Sequence, residues 1–202
     1  MRLPRSHPRS RPFVSLSLEE ETRWILRCQS GDSTAFRFLV ESFEERAFWV
    51  AFHMVGHEED ARDVVQDAFI RAYAAISQFR AGRRFFTWFY RIVLHLAVDC
   101  LRKRGERTRS QEAAPDRMAR EDGLADSLIR EEYAGRVQDL LQHLPPRVRA
   151  ILVLRDIEGV SAKDIADVIR SNPATVRWWL FLARKQFRCE WERRYGKEGP
   201  CD

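Results

Sequence analysis

Apolar residues along this chain recur every three or four positions, in runs that end at Gly, Pro or a capping side chain. That period marks helices with one buried stripe, and no convincing strand pattern interrupts it. An all-α fold follows. The first run opens on a capping box, Ser17 with Glu20, and continues to about Ser30. The second holds Phe36, Leu39, Val40, Phe43, Ala47, Val50, Ala51 and Met54, and Gly56 ends it. A third follows residues 57–59 with Val64, Val65, Ala68, Phe69, Ala72, Tyr73 and Ile76. After a loop over 79–84, a fourth runs from about Phe85 to Lys103 on Trp88, Phe89, Ile92, Val93, Leu96, Ala97, Cys100 and Leu101. Helices joined this closely make one four-helix bundle.

The period lapses over residues 104–126. Seven cations and eight acids crowd between Lys103 and Glu132, with Pro115 and Gly123 among them, which reads as a flexible, solvated linker. Beyond it, Leu128, Ile129, Tyr133, Val137, Leu140 and Leu141 mark a helix that ends before Pro145, and Val148, Ile151, Leu152 and Ile157 mark another that stops at Gly159. Ser161 and Asp164 cap a short helix carrying Ile165, Val168 and Ile169. Pro173 then opens the last one, whose inward stripe is Val176, Leu180, Ala183 and Phe187. The chain thus divides into a basic arm (1–16), a helical domain (17–104), the linker (105–126), a second helical domain (127–190) and a tail (191–202) to which the sequence assigns no purpose.

Composition narrows the function. None of the four cysteines pairs as Cys-x-x-Cys or has a His at metal-ligand spacing, so no metal site and no cofactor are expected. Cys28, Cys100, Cys189 and Cys201 read as buried or incidental thiols rather than a redox device. No apolar run reaches the ~20 residues of a membrane span, and no apolar stretch follows Arg2, Arg5, Arg9 and Arg11, so neither membrane insertion nor a secretory signal is expected. No nucleophile triad, phosphate loop or paired carboxylate argues for catalysis. A reduced, cytoplasmic protein that is not an enzyme is the expectation.

Charge is distributed in opposite fields. Residues 41–68 hold eight acids and two arginines, a net of −6, whereas residues 80–109 hold nine cations and two acids, a net of +7. An acidic face suits a basic protein partner and a basic face suits nucleic acid. The basic segment also interleaves aromatic rings with Arg80, Arg83, Arg84 and Arg91, the combination that grips single-stranded nucleic acid by stacking and by phosphate pairing. Trp88, Phe89 and Ile92 read as packing; Phe85, Phe86 and the loop before them read as the groups that touch bases. Residues 161–188 read as a helix-turn-helix, with Asn172, Thr175, Arg177 and Arg184 facing a major groove and Lys185 and Arg188 nearer the backbone.

These stretches resemble one family. Residues 61–73 resemble region 2.2 of the bacterial extracytoplasmic-function sigma factors, the smallest branch of the sigma-70 family. Residues 85–92, continuing to Arg104, resemble regions 2.3 and 2.4; residues 144–161, with Ile165, Ala166, Ala174–Arg177 and Ala183–Lys185, resemble region 4 and its helix-turn-helix. The resemblance implies a region 2-like bundle and a region 4-like domain joined by a linker. It further implies that Asp63, Gln66, Asp67 and Phe69 dock on core RNA polymerase. Arg80, Arg83, Arg84, Phe85, Phe86, Arg91 and His95 would take the −10 element of promoter DNA, although His95 stands where the family often has Asn. Asn172, Thr175, Arg177, Trp178, Phe181 and Arg184 would take the −35 element. An anti-sigma factor is a further implied partner, and the protein would work at the bacterial nucleoid. Trp178 and Trp179 leave two readings open, contact with thymine methyls or packing against another protein, with DNA preferred for Trp178. The alternative for the whole chain is a helix-turn-helix regulator that never joins polymerase.

Overall fold

The computed structural model describes residues 16–110 and 125–196. The basic arm before Leu16, linker residues 111–124 and Cys201 lie outside the described residues. Every regular element among the described residues is helical.

Helix α1 (Leu18–Gln29) begins at the expected capping box: Ser17 Oγ accepts from the Glu20 N–H at 3.1 Å, and Glu20 Oε2 accepts from the Ser17 N–H at 2.8 Å. A 3₁₀ turn capped by Asp32 leads into α2 (Phe36–Val55), which stops at Gly56 in the left-handed region, φ 84°. Helix α3 (Glu58–Ala75) opens on Glu58, Glu59 and Asp60, whose charge complements the positive end of the helix. Helix α4 spans Phe85–Ser110 and so outruns its expected end at Lys103. Arg, Lys and Glu are good helix formers, so the helix persists beyond the last turn that has an apolar stripe to bury.

The start of α4 is held from a distance. Glu21, 1% exposed on α1, accepts the Phe85 N–H on Oε2 at 2.8 Å, satisfying one of the orphan donors of that helix end. Burial raises the Glu21 pKa above the usual carboxylate range; the Phe85 N–H and the charge of Arg84 oppose this only in part.

The second lobe comprises α5 (Ala125–His143), α6 (Pro146–Leu152) running into one π-helical turn (Val153–Ile157), α7 (Ala162–Val168) and α8 (Pro173–Tyr195). Pro173 occupies the first turn of α8, and Val176, Leu180, Ala183 and Phe187 are all buried, as their spacing requires. The stripe continues one turn further. Trp191 is buried between Phe187 and Tyr133, Tyr195 packs on Trp191, and Arg194 pairs with Asp139 at 2.8 Å. Residues 191–195 therefore close the second lobe rather than forming a tail without purpose.

The two lobes pack directly on each other. The last turn of α2 leaves carbonyl lone pairs unfilled, Phe52 O taking only the Gly56 N–H at 2.8 Å, and the second lobe supplies further donors. Gln138 Nε2 donates to Phe52 O at 3.0 Å, Gln142 Nε2 to His53 O at 3.2 Å, and Arg149 Nη1 to Met54 O. The Gln138 Oε1 then faces His53 Nδ1 at 2.7 Å, so that nitrogen carries the hydrogen. Arg149 is 4% exposed and also donates to Gln142 O and Leu144 O; burial pulls its pKa down to about 10, still charged at neutral pH. Gly56 belongs to this arrangement as well, since a Cβ there would stand 2.9 Å from Gln142 Cδ.

Candidate protein and nucleic-acid interfaces

Helix α3 turns Ala61, Val64, Val65, Ala68, Phe69 and Ala72 inward. That leaves Asp63, Gln66 and Asp67 exposed on the opposite side, where the resemblance places a protein partner. Phe69 does not join them. It is 9% exposed and stacks on Phe89 with ring centroids 4.5 Å apart, so it holds the helix from behind. The physical reason is its position four residues after Val65, on the apolar arc of the helix. The outward face instead carries Ile70, 59% exposed, and Tyr73, 46% exposed. Asp63, Gln66, Asp67, Ile70 and Tyr73 follow the three-and-four spacing of one helix face, acidic at one end and apolar at the other. Spacing alone assigns Tyr73 to the core, and the structure turns it outward beside Ile70. A large apolar residue within a polar stripe was the available signal.

The aromatic segment of α4 is largely interior. Phe85 is fully buried against Phe43, Phe79, Trp88 and Phe89, and Phe86 is 3% exposed, tilted against Tyr90 at 4.4 Å with the Arg46 guanidinium 5.9 Å from its ring. The expectation that these two rings touch bases is corrected: the helix entering beneath α1 and α2 needs them as core. Trp88 and Ile92 are half-buried and Phe89 is fully buried, in keeping with packing. Arg80 and Arg83 stand exposed on the loop, which turns at Gly82 (φ 87°); Arg84 is half-exposed and His95 is exposed on α4. Arg91 is engaged elsewhere. Its Nε donates to Val168 O at 3.2 Å and its Nη2 to Asp167 O, both at the C-terminal end of α7 in the second lobe. Burial lowers its pKa first and the charge of Arg170 second, against the pull of Asp167.

Helices α7 and α8 form the expected helix-turn-helix. Ser161 caps α7 by accepting the Asp164 N–H at 3.1 Å. The turn passes through Arg170 at φ 52°, a left-handed residue with a Cβ, which costs of order 1 kcal/mol. Asn172 is the N-cap of α8, its Oδ1 accepting the Thr175 N–H at 2.7 Å, so its side-chain carbonyl is already engaged. Arg184 is corrected more sharply. Its Nε and Nη2 both bind the buried Asp156 carboxylate, at 3.0 and 2.5 Å, and this pairing raises its pKa. It ties α8 to the π-helical turn. The solvent-facing stripe of α8 is Arg177, Trp178, Phe181, Lys185 and Arg188, with Thr175 half-exposed at its start. Trp178 is 56% and Phe181 66% exposed, and Trp179, half-buried, meets Trp178 edge-on at 5.1 Å.

Among the described residues no group of His, Cys, Asp and Glu could hold a metal ion, and no helix is long and apolar enough to cross a membrane. Burial raises the pKa of the half-buried Cys28 and Cys100 thiols, and Cys189 is exposed.

Comparison with known proteins bears on these faces. Residues 39–107 match the family model of sigma-70 region 2, and residues 134–187 that of sigma-70 region 4. The RNA polymerase sigma-H factor of Pseudomonas aeruginosa is 34% identical, over 84% of this chain and 93% of its own length. The ECF RNA polymerase sigma-E factor of Escherichia coli K12 is 33% identical, over 80% of this chain and 88% of its own. Among solved structures, CnrH in complex with the cytosolic domain of CnrY superimposes with a TM-score of 0.67 at 24% identity, covering 87% of this chain and 99% of that one. The sigma factor RpoE of Bartonella quintana, solved with the anti-sigma factor NepR, gives 0.61 at 19% identity, covering 79% and 98%.

Proposed function

The chain belongs to the extracytoplasmic-function branch of the sigma-70 family and is an RNA polymerase sigma factor, a transcription initiation factor; from that premise we propose which of its surfaces do the work. The outward stripe of α3 binds core RNA polymerase, with Asp63, Gln66 and Asp67 supplying charge and Ile70 and Tyr73 an apolar anchor. The observation that carries this is Ile70: a large apolar side chain left in water beside three polar ones is the composition of an interface centre with a polar rim. Arg80, Arg83, Arg84, Arg91 and His95 take the −10 element, the arginines at phosphates. The α8 stripe of Thr175, Arg177, Trp178 and Phe181 enters the major groove of the −35 element, Arg177 at a base edge and the rings against thymine methyls.

The supporting pattern is one of separation, since the acidic face stands on α3, the basic one on α4 and the loop before it, and the helix-turn-helix stripe on α8. No bond is made or broken by these groups, so the protein acts as a specificity subunit without catalysis of its own. It works in the cytoplasm at the nucleoid, under an anti-sigma partner, as the NepR complex of the Bartonella quintana relative suggests. A regulator acting outside polymerase is not favoured, because the front lobe matches region 2 as well as the rear lobe matching region 4.

Binding of purified core polymerase to the wild type and to Asp63→Lys/Asp67→Lys is the test. Affinity should fall at least tenfold in the variant, with no change in melting temperature; equal affinity would remove α3 as the docking face. Arg177→Ala and Trp178→Ala should each lower transcription from a −35-dependent promoter and leave polymerase binding intact.

A further inference from the structure

We propose that Gln29 and Glu21 on α1 are positioning residues for promoter recognition: together they hold both ends of the 79–84 loop, so that its arginines meet −10 DNA already arranged. The inference rests on the reading of that loop as a −10 contact. The loop has little of its own to hold it. Arg80, Ala81, Gly82 and Arg83 are all exposed, and the side chains of Arg80 and Arg83 form no ion pair or hydrogen bond among the described residues. Its shape is therefore fixed at its ends. At the entry, Gln29 Nε2 donates to Ile76 O at 2.9 Å and to Phe79 O at 2.7 Å, so both hydrogens of one amide bind the chain leading into the loop. At the exit, Glu21 Oε2 accepts the Phe85 N–H at 2.8 Å.

Both anchors stand on one helix, 47 to 64 residues before the groups they hold. Beneath them Ile76, Phe79 and Phe85 close the base of the loop as buried side chains, with Phe79 and Phe85 edge-on at 6.0 Å. Between the anchors the backbone turns once, the Arg83 N–H donating to Arg80 O at 3.3 Å with Gly82 at φ 87°. A Cβ at Gly82 would meet nothing within 4 Å, so glycine there serves backbone conformation alone. A loop pinned at both ends, turned tightly and carrying two outward guanidinium groups presents its cations in a set geometry. Ordering it before DNA arrives removes that cost from binding and fixes which bases the loop approaches.

The test uses the full chain in holoenzyme with core polymerase, offered a pool of single-stranded DNA of random sequence. Sequencing the bound fraction gives the base preference, and the sequence that the wild type selects is then used to measure affinity. Gln29→Met removes the two donors without changing charge, and should lower affinity about fivefold and flatten the base preference. Glu21→Leu should do the same, whereas Glu21→Gln, equally neutral but still an acceptor, should stay within about twofold of the wild type. Gly82→Ala meets no neighbour and serves if the α1 variants fold poorly; strain at its positive φ should flatten the preference as well. Arg80→Ala/Arg83→Ala checks the underlying reading of the loop, and should lower both affinity and its salt dependence. If that pair weakens binding while Gln29→Met and Glu21→Leu keep wild-type affinity and preference, the inference falls and the loop remains a DNA contact. Equal losses in Glu21→Gln and Glu21→Leu overturn it too, since the effect then follows charge and not the backbone bond. Wild-type preference in Gly82→Ala overturns it by showing that loop geometry is immaterial. Wild-type binding by Arg80→Ala/Arg83→Ala removes the loop as a −10 contact, and the inference with it.

Discussion

Helices α3 and α4 lie side by side in one bundle, and both carry residues assigned to partners, yet they differ in how much of that assignment remains on the surface. On α3 the polar candidates point outward and only Phe69 turns in. On α4 the rings that looked suited to bases are core, and Arg91 is bound to the second lobe. A polar residue on an amphipathic helix faces water unless a partner is built for it, as for Arg91 and Arg184, whereas an aromatic residue is stable on either side. Charge therefore locates an interface more securely than aromatic content does.

Several substitutions would sharpen or break this contrast. Phe85→Ala empties a fully buried site and should cost about 3–5 kcal/mol of unfolding free energy, read as a lowered urea midpoint. Arg83→Ala, on the exposed loop before it, should leave stability unchanged and weaken DNA binding. If Phe85→Ala were neutral to stability, the burial of the α4 rings would be in error. On α3 the neighbours Phe69 and Ile70 should behave as opposites. Ile70→Asp should weaken core polymerase binding by roughly 2 kcal/mol, about thirtyfold, at constant stability, and Phe69→Ala should lower stability instead.

Glu21 gives a smaller, pH-dependent effect. Its folded pKa lies above the unfolded one, so the folded state holds the proton to higher pH, and its contribution to stability falls as pH rises between the two values. Glu21→Gln keeps an acceptor for the Phe85 N–H and has no proton to lose. Its stability relative to the wild type should therefore grow as pH rises above about 4 in urea titrations, and Glu21→Ala should cost about 1 kcal/mol for the lost cap. The smallest change is expected in the second lobe, where Arg170→Gly relieves a positive φ and should raise the melting temperature by the equivalent of roughly 0.5–1 kcal/mol.

What could be read from the residues depended on how local the cause was. The capping box at Ser17, the Gly56 stop, the Ser161 cap and Pro173 act within a few positions of themselves, and each helix begins or ends as they dictate, whereas the capping role of Asn172 came only from the structure. The extension of α4 past Lys103 leaves no mark in the sequence, because charged helix formers carry no period. Among the candidate residues, Asp63, Gln66, Asp67, Arg177 and Trp178 were legible as outward groups. Arg184 was not, because its partner Asp156 lies across the lobe and nothing near it in the sequence announces the pair.

The order of residues by itself determined the all-helical fold, the positions of most caps, the division into two lobes and the family. Tertiary packing alone decided that Phe85 and Phe86 serve as core, that Trp191 closes the second lobe, and that Gln138, Gln142 and Arg149 finish the end of α2. A helical period fixes which residues share a face but not which of two faces meets a neighbour. That choice is made by contacts between segments far apart in the chain, where donors and carbonyls left over at one helix end find partners only after the whole has folded.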